Sequence, residues 1–272
     1  MIRNPVVAGS FYPGDGKVLK TQINDFLENV ELRKISGELL GVVAPHAGYV
    51  YSGQCAAFSF KTLKDENFKY TVIIAPSHRF ADFDFSIGNY EKYLTPLGSV
   101  DIATNIVKEL KGKYGLKSHN YAHNIEHSLE VQLPFLQIVK PEVKIVPILL
   151  GTQSKENSKK LAHILAEFFK DKIDQTKFVI STDLSHYYTS KIAKMMDTKL
   201  VELFEKLDVA GMEKNYEHRE IEACGMGGIL TLMNIAKLLN YSNSAVLDYR
   251  NSGDVSGDYE QVVGYFSSCI YK

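Results

Sequence analysis

The chain has 272 residues, and its 31 lysines and arginines nearly balance 32 acidic side chains; a formal net charge of −1 gives no electrostatic case for nucleic acid or an anionic membrane. A composition 45% hydrophobic and 23% charged is ordinary for a globular protein, and a chain of this length can bury roughly three quarters of its unfolded surface without covalent staples. Three cysteines, Cys55, Cys224 and Cys269, lacking a CxxC spacing, argue against a disulfide framework and for a reducing compartment, so the expected location is the cytoplasm. The N-terminal MIRNPVVAGSFYPGD has no apolar core of a signal peptide, and the longest apolar runs fall short of the roughly 18 residues of a membrane span.

In chain order, the first predicted strand covers 39–44 and runs into GVVAPHAGYVYSG, where Pro45 ends it and His46 follows at once. Gly48 and Gly53 are expected to let the chain turn close to whatever the histidine faces. A helix is predicted over 53–63. The second strand, 70–75, leads into APSH, again a proline and then His78. After a helix over 101–111, NIEHSLEVQLPF opens a helix over 127–139, with Glu130 one turn beyond His127 on the same face. His127 reads either as a proton donor or ligand-orienting residue, or as a helix-start residue bonding its own backbone.

A strand over 143–150 and a helix over 154–169 precede KFVISTDLSHYY, in which the strand 177–181 ends on Asp183 and His186. Beyond a helix over 192–207, IEACGMGGILTLMNIAKLL sets Cys224 just before the helix 227–239, where unpaired amides and the helix dipole favour a thiolate; a buried structural thiol is the alternative. Gly225, Gly227 and Gly228 allow a backbone or ligand to approach, but GMGG does not match a dinucleotide fingerprint. The last strands, 245–247 and 261–267, flank NSGDVSGD, whose Asp254 and Asp258 read as turn formers. Of the remaining histidines, His163 and His218 are expected in solvent, and His119 and His123 stay undecided. Cys55 and Cys269 are expected in the core.

Continuous apolar strands are those buried on both faces, so the pattern predicts an α/β fold: a mostly parallel or mixed central sheet with helices on both faces, in a single domain over 1–272. In such sheets ligands bind beyond the carboxyl ends of the strands. His46, His78 and His186 all follow strand ends, and they converge if those strands are parallel neighbours.

Two chemistries are open to these residues. Two imidazoles and one anionic ligand with open positions form a mononuclear metal site, here His46, His78 and Cys224, with a soft thiolate that leans toward iron, zinc or cuprous copper. Asp183 and His186 then orient a ligand or move a proton. Alternatively Cys224 is a nucleophile, a histidine its base and Asp183 the group that orients the base, with no metal.

The series GSFYP, APHAGYVYSG, APSH, EHSLEVQLPFL, STDLSHY, ACGMGG and NSGDVSGD resembles the Memo family, whose prokaryotic members are also called AmmeMemoRadiSam system protein B. The resemblance implies a fold related to class III extradiol dioxygenases, which use non-haem iron, and metal-facing positions at His46, His78 and Cys224. It places Asp183 and His186 in the same cleft, with Phe11 and Tyr51 at aromatic positions of its mouth; where the family has a tryptophan at the first, this chain has Phe11. The cysteine replaces the glutamate ligand of the dioxygenases. The cofactor implied is iron, with copper or zinc as alternatives, the partner a small-molecule or peptide ligand. The system name implies a functional link to a radical SAM protein.

Overall fold

The computed structural model describes residues 1–32 and 35–272. The chain runs β1 (Ile2–Arg3), α1 (Gly16–Glu28), β2 (Leu39–Ala44), α2 (Tyr49–Lys64), β3 (Tyr70–Pro76), β4 (Phe85–Ile87), β5 (Lys92–Thr95), β6 (Gly98–Asp101), α3 (Thr104–Tyr114) and α4 (Asn120–Ile125). It continues α5 (Leu133–Val139), β7 (Lys144–Leu150), α6 (Lys155–Phe169), β8 (Thr176–Ser181), β9 (His186–Tyr188), α7 (Ser190–Glu205), α8 (Val209–Glu217), α9 (Met226–Leu238), β10 (Asn243–Asn251), α10 (Gly253–Ser256) and β11 (Val262–Tyr271).

The expected fold class holds. An eight-stranded mixed sheet has the order β10-β11-β2-β8-β3-β7-β4, with β9 on β11. Its centre, β2-β8-β3-β7, is parallel, and β11 and β4 pair antiparallel on either side. Every residue of β2 and β8 is buried, because helices cover both faces and leave no wet side for polar residues to alternate onto. On one side α1 and α5 pack on α2, which lies on β2 and β11; on the other, α6 and α8 pack on α9, which lies on β2, β8 and β3. No helix among the described residues is long and apolar enough to cross a membrane.

Several expectations need adjusting. The helix predicted over 127–139 is instead a 3-10 turn, Glu130–Gln132, followed by α5, with Pro134 in its first turn. NSGDVSGD forms the short α10, where the Asp254 carboxylate accepts the Asn251 amide. Gly53 does not turn the chain toward a site; it lies inside α2, where any Cβ would collide with the Phe26 ring of α1. The small sheet β1-β5-β6 and the helix α1 were not anticipated, although Asp15 caps α1 and Leu19, Ile23 and Leu27 form its buried stripe.

Candidate functional site

The three central strands that end in histidine segments are direct neighbours in the order β2-β8-β3, and all three are parallel. Ala44 of β2 pairs with Ser181 of β8, and Ile180 with Ile74 of β3, so the exits are nearly level and their loops open on one rim. Asp183 holds the first exit in place by accepting the His46 amide through Oδ1 at 2.8 Å. Parallel register is thus what brings His46, His78 and Asp183 together across more than a hundred residues of chain.

His46, His78 and Cys224 each offer a ligand atom, and these atoms all lie within 4.8 Å of one another. Cys224 Sγ is 3.3 Å from His46 Nε2. Two donors on one ion sit roughly 3–4 Å apart when each bond is about 2.0–2.3 Å, so the spacing accepts an ion with little movement. The protonation of His46 follows from its neighbours. Ser181 Oγ spends its one hydrogen on the Ser128 carbonyl at 2.7 Å and accepts from Gln132 Nε2 at 2.7 Å. His46 Nδ1, 2.9 Å away, must therefore donate to Ser181, which leaves Nε2 bare toward the sulfur. Burial, reinforced by His78 and His127 nearby, pushes the His46 pKa well down, so the ring is neutral at neutral pH. The donor set fits a metal.

Cys224 precedes Gly225, the residue that caps α9. A Cβ on Gly225 would lie 2.5 Å from the Ser181 carbonyl, so only glycine lets this segment rest on the end of β8. Proximity to the helix start is expected to favour a thiolate, yet the thiol is pushed up, by burial first and by the Asp183 charge second; the Asp183 amide, donating to Sγ at 3.2 Å, offsets this only in part. A coordinated cation reverses that balance, because it supplies the charge the thiolate lacks here.

Of the other residues singled out, Asp183 is buried beside His46, its Oδ2 3.9 Å from Nε2, and burial raises its carboxyl. His127 stands in the pocket, with ring centroids 5.5 Å from His46 and 4.9 Å from His78, and Phe11 meets its edge at 4.8 Å. Tyr51 is 42% exposed on the first turn of α2, across Gly48 from the Phe11 backbone. His186 lies on β9, with Nδ1 3.7 Å from Glu222 Oε1, in the neighbourhood of His46 and Asp183. His163 and His218 are exposed; His123 is buried between Tyr93 and Ser86, and burial pushes it down to about 3.

Glu130 does not partner His127. It is fully buried against the N-terminal segment, where it pairs with Arg3 and accepts the Val6 and Val7 amides and the Tyr12 hydroxyl. The i, i+3 pairing that would link it to His127 presupposes a helix from 127, whereas the helical turn begins only at Glu130. The carboxylate that does serve His127 and His78 is Glu126, which the sequence reading passed over; its one signal is an acidic residue directly before two residues, His127 and Ser128, whose amides it takes. Ser181 and Gln132 were also missed, being unremarkable residues until the register sets them beside His46.

The fold and the pocket together define an α/β protein with a two-histidine, one-cysteine donor cluster at the carboxyl rim of its helix-covered mixed sheet. The chain belongs to the Memo-like protein family, whose model matches residues 3–269. It is 36% identical to a MEMO1 family protein of Methanosarcina mazei over 97% of each chain. It is also 36% identical to one of Nitrosopumilus maritimus, over 97% of this chain and 98% of that one. Among solved structures, an uncharacterized protein of Escherichia coli K12 superposes with a TM-score of 0.52 at 11% identity, covering 86% of this chain and all of that one, a likeness of fold alone.

Proposed function

We propose that this rim pocket binds a redox-active metal ion, iron in the first place with copper or zinc as alternatives, through His46, His78 and Cys224. The observation that carries the reading is the clustering of these three donor atoms within 4.8 Å, drawn from segments far apart in the chain. Two imidazoles and a thiolate leave positions open on the ion, and the soft sulfur favours these metals over calcium or magnesium. A metal held there would supply Lewis-acid or one-electron chemistry to a bound ligand.

The protein's own groups supply the rest. Ser181 and Asp183 fix the His46 ring and its backbone, so one ligand is set before any metal arrives. His127 stands beside the two imidazole ligands with an apolar wall, Phe11, at its edge, and serves as the proton acceptor or donor for a ligand in the pocket. Asp183, buried beside His46, and His186, in the neighbourhood of both, add further polar groups for a ligand. The His78 side chain keeps 33% of its surface exposed, so a small molecule or peptide reaches the cluster from the His78 side.

A non-catalytic pocket for a small molecule or peptide is the second reading, supported by exposed aromatic rings near the rim, Tyr51 at 42% and Tyr187 at 73%. A metal-free cysteine hydrolase has less support: burial raises the Cys224 thiol, and the His46 nitrogen that Asp183 would have to orient is bonded to Ser181 instead. The family resemblance adds a proposed link to a radical SAM protein, and the cysteine usage a cytoplasmic location.

Metal analysis of protein purified without oxygen tests the first reading. Wild type should carry close to one ion per chain and the His46→Ala, His78→Ala double variant none. Equal metal in the two would end it. Turnover of a small aromatic or thiol substrate that vanishes in Cys224→Ser would weigh against a purely binding role.

A further inference from the structure

We propose that Glu126 is a positioning residue for the pocket: one buried carboxylate that holds His78 and His127 in the same tautomer, leaving the Nε2 of each free. The inference rests on the metal-site reading for the use made of His78, but its geometric content stands independently.

Glu126 is 2% exposed, and its two oxygens face donors only. Oε2 accepts the His78 amide at 2.5 Å. Oε1 accepts the His127 amide at 2.9 Å and the Ser128 amide at 3.0 Å. Both ring Nδ1 atoms converge on that same oxygen, His78 at 2.9 Å and His127 at 3.0 Å. An ionised carboxylate has no hydrogen to give, and a bare Nδ1 lone pair at this distance would repel it. Each Nδ1 therefore carries the proton. His78 is left with Nε2 as its metal-binding atom, and His127 with Nε2 as the atom that meets a ligand proton.

The turn that carries this carboxylate is itself fixed from behind, through its backbone. Arg3 is buried; its Nη2 donates to the Glu126 carbonyl at 2.6 Å and its Nε to the His123 carbonyl at 3.1 Å. Ser128, next in the turn, donates its hydroxyl to the Pro76 carbonyl at 2.7 Å, tying the Glu126 turn to the end of β3 two residues before His78. An N-terminal residue thus anchors the turn that orients a metal ligand and a proton-transfer histidine together. Outer partners of this kind set ligand orientation and basicity, and their loss costs about 10–100-fold in metal affinity.

Two measurements test the inference. Long-range 1H–15N correlation spectra of the metal-free wild type at mildly alkaline pH should show His78 and His127 both protonated at Nδ1 and bare at Nε2. The opposite tautomer at either ring overturns the proposal whatever the metal does. Cobalt(II) is then titrated into wild type, Glu126→Gln, Glu126→Ala and the His46→Ala, His78→Ala variant. The affinity should fall about 10–100-fold in Glu126→Ala and less in Glu126→Gln, which keeps one accepting oxygen. Unchanged affinity together with unchanged tautomers in Glu126→Ala would also overturn it. Failure of wild type to bind cobalt at all sinks the metal-site reading, and the spectra still decide the role of Glu126. Should Glu126→Ala not fold, the wild-type spectra and Glu126→Gln carry the decision.

Discussion

Asp183 and Cys224 hold each other by a reciprocal pair of bonds: the Asp183 amide donates to Cys224 Sγ at 3.2 Å, and the Cys224 amide donates to the Asp183 carbonyl at 3.2 Å. The exit of β8 and the segment before α9 are thereby locked as one unit, and the sulfur is aimed at His46. Cys224→Ser keeps an acceptor for the Asp183 amide and should fold normally. Because a ligand matters more than the partners around it, metal affinity should drop by at least about 100-fold. Cobalt(II) titration, followed through the near-ultraviolet thiolate-to-metal band, checks this; a retained band would remove the sulfur from the ligand set.

The raised Cys224 thiol makes metal binding depend on pH. Metal-free protein keeps the proton on sulfur through neutral pH, and the ion must displace it, whereas His46, pushed down by burial, is already neutral and loses nothing. Affinity should therefore rise with pH, about tenfold per unit between pH 6 and 8. Calorimetry in buffers of different ionisation enthalpy should find about one proton released per ion. A flat profile would mean that the thiol is not the group titrated.

Asp197 predicts a pH effect on stability alone. Its buried carboxyl accepts the Ser185 amide and the Tyr249 hydroxyl beneath the loop that carries Asp183 and His186. Burial, outweighing those hydrogen bonds, pushes it from 3.8 up to about 6. Between those values the folded chain binds more protons than the unfolded one, so this group's contribution falls as pH rises from about 4 to 6 and stays low above, by about 3 kcal/mol at most. Asp197→Asn should gain stability over wild type at pH 7 but not at pH 4. Parallel urea curves at the two pH values would contradict this.

The Arg3–Glu130 pair is fully buried, and breaking such a pair leaves a charge without a partner. Arg3→Met should cost about 3–5 kcal/mol in urea unfolding, and should also loosen the Glu126 turn. A variant as stable as wild type would show that Glu130 is satisfied by Val6, Val7 and Tyr12 alone.

Two glycine substitutions should move in opposite directions. Gly225→Ala would place a methyl group 2.5 Å from the Ser181 carbonyl, costing about 1–3 kcal/mol and weakening metal binding by displacing Cys224. Gly112→Ala, inside α3 with nothing within 4 Å, should stabilise by about 0.4–1 kcal/mol. Thermal melts of the pair check both signs.

Local pattern and chemistry alone were enough to read the framework from the amino acids. Runs such as LLGVVA and TVIIAP are apolar at every position because both faces of the sheet are covered, and the prolines after them mark where the ladder stops. That rule located His46, His78 and the Asp183–His186 pair at strand ends, the approach to a helix start singled out Cys224, and the family motifs added Phe11 and Tyr51. The three short strands of the small sheet, two to four residues each, carry too few positions to show a period.

Partnership was decided only by the folded chain. Which strands neighbour one another, and at what register, is a choice among distant segments that leaves no mark in either segment alone; it set Ser181 against His46 and Cys224 against Asp183. Glu126 and Glu130 lie four residues apart in one short stretch, yet the first serves the pocket and the second the N-terminal segment, because a single turn before α5 points them at different neighbours. Side-chain direction at a turn, unlike hydrophobic period along a strand, follows from what packs around it.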